Sequence, residues 1–221
     1  MKIAFFYLLI LLLLLSLSVS CKDNSTSEED PYNKVTIGQQ IWMTDNLNAD
    51  KFRNGDIIPE TRTIADWKRA GFNQQPAWCY YNNDSINKTK FGKLYNWYAV
   101  NDPRGLAPKG WHIPFDAEWT NLANNLGGIN IAGGKLKSSG TLDWQSPNTN
   151  ATNSSGFAGL PGGSRNFDGS FNSLGRNGFW WTATQNDALS AWYWYLGFDF
   201  ESVARYDYNK ENGFSVRCIK D

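Results

Sequence analysis

His112 is the single imidazole in 221 residues, so any histidine-based acid–base chemistry has to pass through it. It sits in Trp111-His112-Ile113-Pro114, and the chain contains no Gly-x-Ser-x-Gly elbow to supply a nucleophile. A packed, hydrogen-bonded histidine is the expectation. Asp116 and Glu118 could be offered as a hydrolytic carboxylate pair, but residues two apart on a helix do not face each other. They suit the first turn of a helix, where negative charge meets the positive end of the dipole. One His and no close Cys spacing leave a zinc site short of ligands. Gly133-Gly134-Lys135 resembles part of a phosphate loop, yet Ile129 stands where its first Gly belongs and Leu136 replaces the Ser or Thr. Asn82-Asn83-Asp84 and Asp168 could contribute oxygens to calcium, but no stretch has the density of a calcium loop, and they read as turn stabilisers. Reactive groups are therefore few, while rings are many: eleven Trp, ten Tyr and thirteen Phe stand beside twenty Gly. No enzyme, cofactor or metal is expected.

The charge balance excludes another class. Twenty-one Lys and Arg oppose twenty-one Asp and Glu, and binding a polyanion needs a basic excess on one face, so nucleic acid is not an expected partner.

The first twenty residues read as an address. Met1-Lys2 precedes thirteen uninterrupted apolar residues, Ile3 to Leu15, too few for the roughly 20 of a membrane span and right for an export signal. Ser18-Val19-Ser20-Cys21 resembles the lipobox of bacterial lipoproteins, which implies acylation of Cys21 by palmitate or a similar chain; Ser18 stands where a bulkier apolar residue is usual. The alternative is an ordinary secretory signal with Cys21 left as a disulfide partner. Residues 21–34 are polar and Pro-containing, a tether. Lys22-Asp23 is similar to short outer-leaflet sorting signals, so the expected location is the outer membrane, lipid-anchored, on its surface or its periplasmic face.

The body, 35–221, must position whatever the rings do. Val35 to Met43 reads as a hairpin around Gly38-Gln39. Thr63 caps a short helix closed by Gly71, and Trp119, Leu122, Ala123 and Leu126 form one stripe of a helix over 116–126, stopped by Gly127-Gly128. From Gly127 to Gly178 a Gly-, Ser- and Asn-rich stretch reads as long loops. In Trp192 to Leu196 the side chains alternate, placing Trp192, Trp194 and Leu196 on one face and Tyr193 and Tyr195 on the other. Continued alternation would add Phe198 and Phe200 to the apolar side, and Asp199 and Glu201 to the tyrosine side. A meander follows, with strands over 203–208 and 214–219.

Ordered motifs then carry a resemblance. Gln40-Ile41-Trp42-Met43-Thr44-Asp45-Asn46-Leu47, Gly92-Lys93-Leu94-Tyr95-Asn96-Trp97, Gly110-Trp111-His112-Ile113-Pro114, Gly178-Phe179-Trp180-Trp181 and Gly213-Phe214-Ser215-Val216-Arg217-Cys218 together resemble the Fibrobacter succinogenes major paralogous domain, a family of secreted and lipid-anchored bacterial proteins without a settled activity. The resemblance implies an α+β, C-type-lectin-like fold: a twisted antiparallel sheet, two short helices and long irregular loops. It transfers a scaffold, and a scaffold does not name a function. Formylglycine-generating enzymes have similar strands, but their copper site needs two neighbouring cysteines, and the body offers only Cys79 and Cys218. The family often has Cys where Ala107 stands and a Ser or Thr cap near Phe115. A Cys79–Cys218 disulfide is expected, worth roughly 5 kcal/mol by loop closure; if the family instead pairs position 107 with Cys218, two free thiols remain.

The resulting expectation is a noncatalytic envelope lipoprotein whose lectin-like module binds a glycan or protein, with Tyr193, Tyr195, Asp199 and Glu201 as candidate contacts. The alternative is a structural subunit of a surface appendage or envelope complex, and an enzyme ranks below both.

Overall fold

A computed structural model describes residues 30–221, so the export signal, Cys21 and most of the tether lie outside the described residues. The folded unit runs from Tyr32 to Asp221. Among the described residues no helix is long and apolar enough to cross a membrane.

The chain forms, in order, β1 (Lys34–Ile37), β2 (Gln40–Met43), α1 (Ile64–Phe72), β3 (Trp78–Cys79), α2 (Lys88–Phe91), β4 (Leu94–Tyr95), α3 (Trp97–Val100), β5 (Trp111–His112), α4 (Asp116–Asn125) and α5 (Ile129–Leu136). The remainder is β6 (Gly162–Arg165), β7 (Phe171–Leu174), β8 (Asn177–Gln185), β9 (Ser190–Gly197), β10 (Ala204–Asn209) and β11 (Ile219–Lys220). The fold is mixed α+β. A four-stranded sheet has the order β1-β2-β11-β5, and a five-stranded sheet has the order β10-β9-β8-β6-β7.

The expected hairpin is present: Gly38 takes a φ of 63°, and Ile37 pairs with Gln40 across the turn. Thr63 caps α1, its hydroxyl accepting from the Asp66 amide at 3.0 Å. That helix does not stop at Gly71 but runs on to Phe72, and the Glu211 side chain packs over Gly71, where a Cβ would lie 2.8 Å from its carboxylate. α4 buries Trp119, Leu122 and Ala123, the predicted stripe, with Leu126 as its C-cap. β11 is shorter than the expected last strand but slots between β2 and β5, which ties the chain's end into the first sheet.

The glycine-rich middle is more regular than its composition suggests. It contains α5, β6 and β7. Gly133 and Gly134 lie inside α5, where a Cβ would meet the Ser202 and Asn150 carbonyl oxygens at 2.0 and 2.5 Å. These glycines let backbone approach backbone and form no phosphate cradle.

Irregular chain leaves carbonyls without ladder partners, and buried cations fill that role here. The Lys137 ammonium donates to the carbonyls of Thr149, Gly197 and Phe200 at 2.9, 2.9 and 2.7 Å. Arg217, fully buried, donates to the Phe157 carbonyl and to Asn46 Oδ1 and lies 4.1 Å from the Phe157 ring centre. Asn46 Oδ1 also accepts from Trp180 Nε1, so one amide joins the segment after β2 to the second sheet.

The Cys79–Cys218 disulfide expected from sequence is not formed. Both thiols are free and buried, Cys79 in a cluster with Trp67 and Leu94, and Cys218 in another that contains Ala107. Different cores hold the two sulfurs, so the geometry for a bridge is absent. Burial pushes both thiols up to about 12. In a Cys21→Ser chain denatured without reductant, both thiols are expected to titrate, while neither reacts in the native protein at pH 8. Recovery of no thiol after denaturation would contradict this.

Candidate functional site

Strand register builds the site. Tyr193 lies between Trp181 of β8 and Tyr206 of β10, Tyr195 lies between Phe179 and Ala204, and Tyr208 faces Ala191. Because alternate residues share a face, these side chains stand together on one side of the sheet. The other side carries Trp194 and Leu196 into the core with Trp180 and with Trp119 of α4, as the alternation predicts, whereas Trp192 stays half-buried with the Arg205 guanidinium 3.4 Å from its ring centre.

Phe214, delivered by the segment before β11, packs 4.9 Å from Tyr193 and 4.4 Å from Trp181, centre to centre. Tyr195 stacks on Phe179 at 5.7 Å, and Tyr206 lies 5.9 Å from Tyr195 and 6.4 Å from Tyr193. Exposure rises outward. Trp181 and Phe214 are buried, Tyr193 and Tyr195 half-buried, and Tyr206 and Tyr208 are 54% and 46% exposed.

The hydroxyls of Tyr193, Tyr195, Tyr206 and Tyr208 have no hydrogen-bond partner among the described residues, whereas that of fully buried Tyr95 donates to the Ala49 carbonyl at 2.7 Å. A half-buried phenol usually finds a partner. Burial, followed by the neighbouring Tyr195, Tyr208 and Tyr206, raises the Tyr193 pKa well above the ordinary phenol value, so it stays a neutral donor.

Tyr193 and Tyr208 line an open cleft of about 340 Å³ together with Phe179 and Phe214; the facing wall is Ser164, Asn166, Asn172 and Ser173. That polar wall is the β6–β7 hairpin, in which Ser164 pairs with Asn172. Gly163 and Ser173 both take a φ of 65°, and a Cβ on Gly163 would come 2.5 Å from the Asn172 carbonyl oxygen. Left-handed backbone at a serine costs about 1–3 kcal/mol and persists because its surroundings over-determine it. Arg165 does much of that. Its guanidinium lies 4.6 Å from the Trp67 ring centre and 4.9 Å from that of Phe171, and donates to the carbonyls of Thr61, Thr63 and Gly169 at 2.6, 3.1 and 3.3 Å.

Glu201, expected on the tyrosine side, is not there, whereas the Asp199 carboxylate stays near Tyr195, whose phenol pKa is raised by burial, then by Tyr206 and Asp199. β9 ends at Gly197, and the turn that follows breaks the alternation. The Glu201 carboxylate accepts from Asn150 Nδ2 at 2.5 Å and its carbonyl accepts from the Gly134 amide at 2.8 Å, so it faces α5. Phe200, expected on the apolar side, instead packs 5.5 Å from Tyr195. Tyr206 and Tyr208 of β10 instead extend the face beside Tyr193. The signal for them is the alternation of Tyr206 and Tyr208 with Arg205 and Asp207 in the strand that pairs with β9.

His112 bridges two carboxylates. Nδ1 lies 2.7 Å from Asp221 Oδ1 and Nε2 lies 3.0 Å from Glu118 Oε1, so neither nitrogen faces a hydroxyl. Burial disfavours the imidazolium, but the hydrogen bonds to Glu118 and Asp221 outweigh it, and the pKa is raised. Glu118 also accepts from the Phe115 amide at 2.8 Å, which substitutes for the Ser or Thr cap that Phe115 cannot supply. Asp116 accepts from Trp194 Nε1 at 2.9 Å and Arg205 Nε at 2.7 Å, which fastens α4 to β9 and β10. An elevated histidine pKa means the folded state holds the proton more tightly. The clamp's contribution is thus complete below the unfolded pKa of about 6.5 and lost as pH rises through the folded value. NMR titration of this single imidazole is expected to show Glu118→Gln and Asp221→Asn each lowering its pKa; no change in either would contradict the clamp.

A larger concavity, about 420 Å³, lies elsewhere, lined by Leu47, Phe52, Leu106 and Pro108 with Tyr32, Lys51 and Lys109 among its rim. Its Arg53 guanidinium is committed to the carbonyls of Ala107 and Trp111 at 3.1 and 2.9 Å. Volume favours this concavity; chemistry favours the tyrosine cleft, where flat rings, amides and unpartnered hydroxyls converge. Asp84 accepts from the Ile86 amide and Asp168 from the Ser170 amide, the turn roles read from sequence. Among the described residues no group of three or more His, Cys, Asp or Glu side chains is placed to hold a metal.

The family model described as the Fibrobacter succinogenes major domain matches residues 35–220, and the chain belongs to that family. Neither the curated proteins nor the solved structures give a match.

Proposed function

We propose that this member of the Fibrobacter succinogenes major domain family is a noncatalytic binding module of the cell envelope, held by a lipid on Cys21 and engaging a glycan or protein ligand through the tyrosine face of its five-stranded sheet. The observation that carries the reading is the set of four tyrosine hydroxyls without partners beside an open cleft. Rings packed at 5 to 6 Å form a rigid surface that loses little entropy when a ligand lands on it. The scarcity of reactive groups supports binding over catalysis, since the single imidazole is held between carboxylates. We propose a C-type-lectin-like topology for the same chain, supported by the C-terminal strand closing between β2 and β5 and by the α4 helix packed on the late sheet.

The test is retention on immobilised envelope material containing both polysaccharide and protein. Wild type is expected to be retained, and a Tyr206→Ala/Tyr208→Ala variant to lose retention at unchanged melting temperature, because both side chains are exposed. Equal retention of the two would reject the face. Fatty-acid labelling that is abolished in Cys21→Ala tests the anchor separately.

A further inference from the structure

Resting on that reading, we infer that the cleft between the tyrosine face and the β6–β7 hairpin takes an uncharged glycan, one sugar ring held between an aromatic and an amide wall. The two walls differ in kind. Phe179, Tyr193, Tyr208 and Phe214 present ring faces and edges with phenol tips, while Asn166 and Asn172 stand opposite with Ser164 and Ser173. A pyranose has the same division, with a C–H face that packs on rings and a rim of hydroxyls that both donate and accept. Amides and hydroxyls also do both, which fits a polyol rim better than an ion.

Charge decides the class. No Lys, Arg, Asp or Glu side chain lines the cleft. Arg165, the nearest cation in sequence, is fully buried and donates into backbone carbonyls, so it is not available to an anionic ligand. An anionic sugar would lose its hydration with no countercharge in reach, and an uncharged one would lose none of that kind. The size also fits, because about 340 Å³ accommodates one or two sugar rings and falls well short of the surface that protein partners bury. From the cleft, Tyr206 and half-buried Tyr195 continue the aromatic face along the sheet, so further rings of a chain have a surface to follow.

An array carrying neutral oligosaccharides, anionic oligosaccharides and peptides at matched density tests this with the mature chain and two variants, Tyr208→Ala and Asn172→Ala. Both residues are exposed, and melting curves verify the fold. Neutral oligosaccharides are expected to retain the wild type, about tenfold less the Tyr208→Ala chain and roughly fivefold less Asn172→Ala. Retention by anionic oligosaccharides or by peptides that falls with the same substitutions overturns the uncharged-glycan inference and leaves the binding face standing. Retention indifferent to both substitutions, or none on any probe, overturns the face as well.

Discussion

Replacing Arg165 with alanine is expected to destabilise the protein by about 3–5 kcal/mol, because it leaves buried carbonyls short of a donor at about 1–3 kcal/mol each and empties the space between two rings. At roughly 2–4 °C per kcal/mol for a domain of this size, the melting temperature falls by roughly 10 °C. The reason is local. The guanidinium joins the Thr61 to Thr63 backbone ahead of α1 to the β6–β7 hairpin, donating to the Thr61 and Arg62 carbonyls and adding a second donor to that of Thr63, which also accepts from the Trp67 amide. Arg165→Lys recovers only part of the loss, because a point ammonium can neither sit flat between Trp67 and Phe171 nor reach carbonyls on several sides. The hairpin is also the polar wall of the cleft, so ligand retention falls along with stability. An Arg165→Ala chain that melts within about 2 °C of wild type would show that the staple contributes little.

Tyr193 separates fold from function. Tyr193→Ala removes a ring packed on Phe214, Trp181, Tyr195 and Tyr206, and a cost of roughly 3 kcal/mol is expected from truncating a large aromatic. Tyr193→Phe keeps the ring and deletes a hydroxyl that the fold does not use, so stability stays within about 0.5 kcal/mol. Retention of a cleft-bound ligand nonetheless drops about fivefold, the worth of one hydrogen bond. Calorimetric melting and retention measured on both variants check this. A Tyr193→Phe chain that melts lower yet binds fully would place the hydroxyl in the fold after all.

The parts of this arrangement that could be read from sequence are those set by local spacing. The Gly38 hairpin, the Thr63 cap, the α4 stripe and the alternation through Trp194 each follow from a few neighbouring residues. What was illegible depends on distant chain. Phe200 and Glu201 change sides because β9 stops at Gly197, where a Cβ would lie 2.2 Å from the Phe200 ring, a clash no periodicity reveals. Ser164 and Asn172 reach the cleft through a parallel pairing of Gly163 with Gly178 that no hairpin signal announces. Arg165 and Lys137 look like surface charges in sequence and are fully buried, and most of the carbonyls they reach belong to distant chain. Cys79 and Cys218, expected to pair, belong to separate clusters.

The central claim is that contact occurs on the tyrosine face, and tyrosines themselves can report it. With ¹³C-labelled tyrosine rings, titration of the mature chain with a neutral oligosaccharide is expected to shift Tyr193, Tyr195, Tyr206 and Tyr208 while buried Tyr95 stays still. Tyr32, on the rim of the larger concavity, is the internal control. Shifts at Tyr32 with the four sheet tyrosines unmoved would contradict the account.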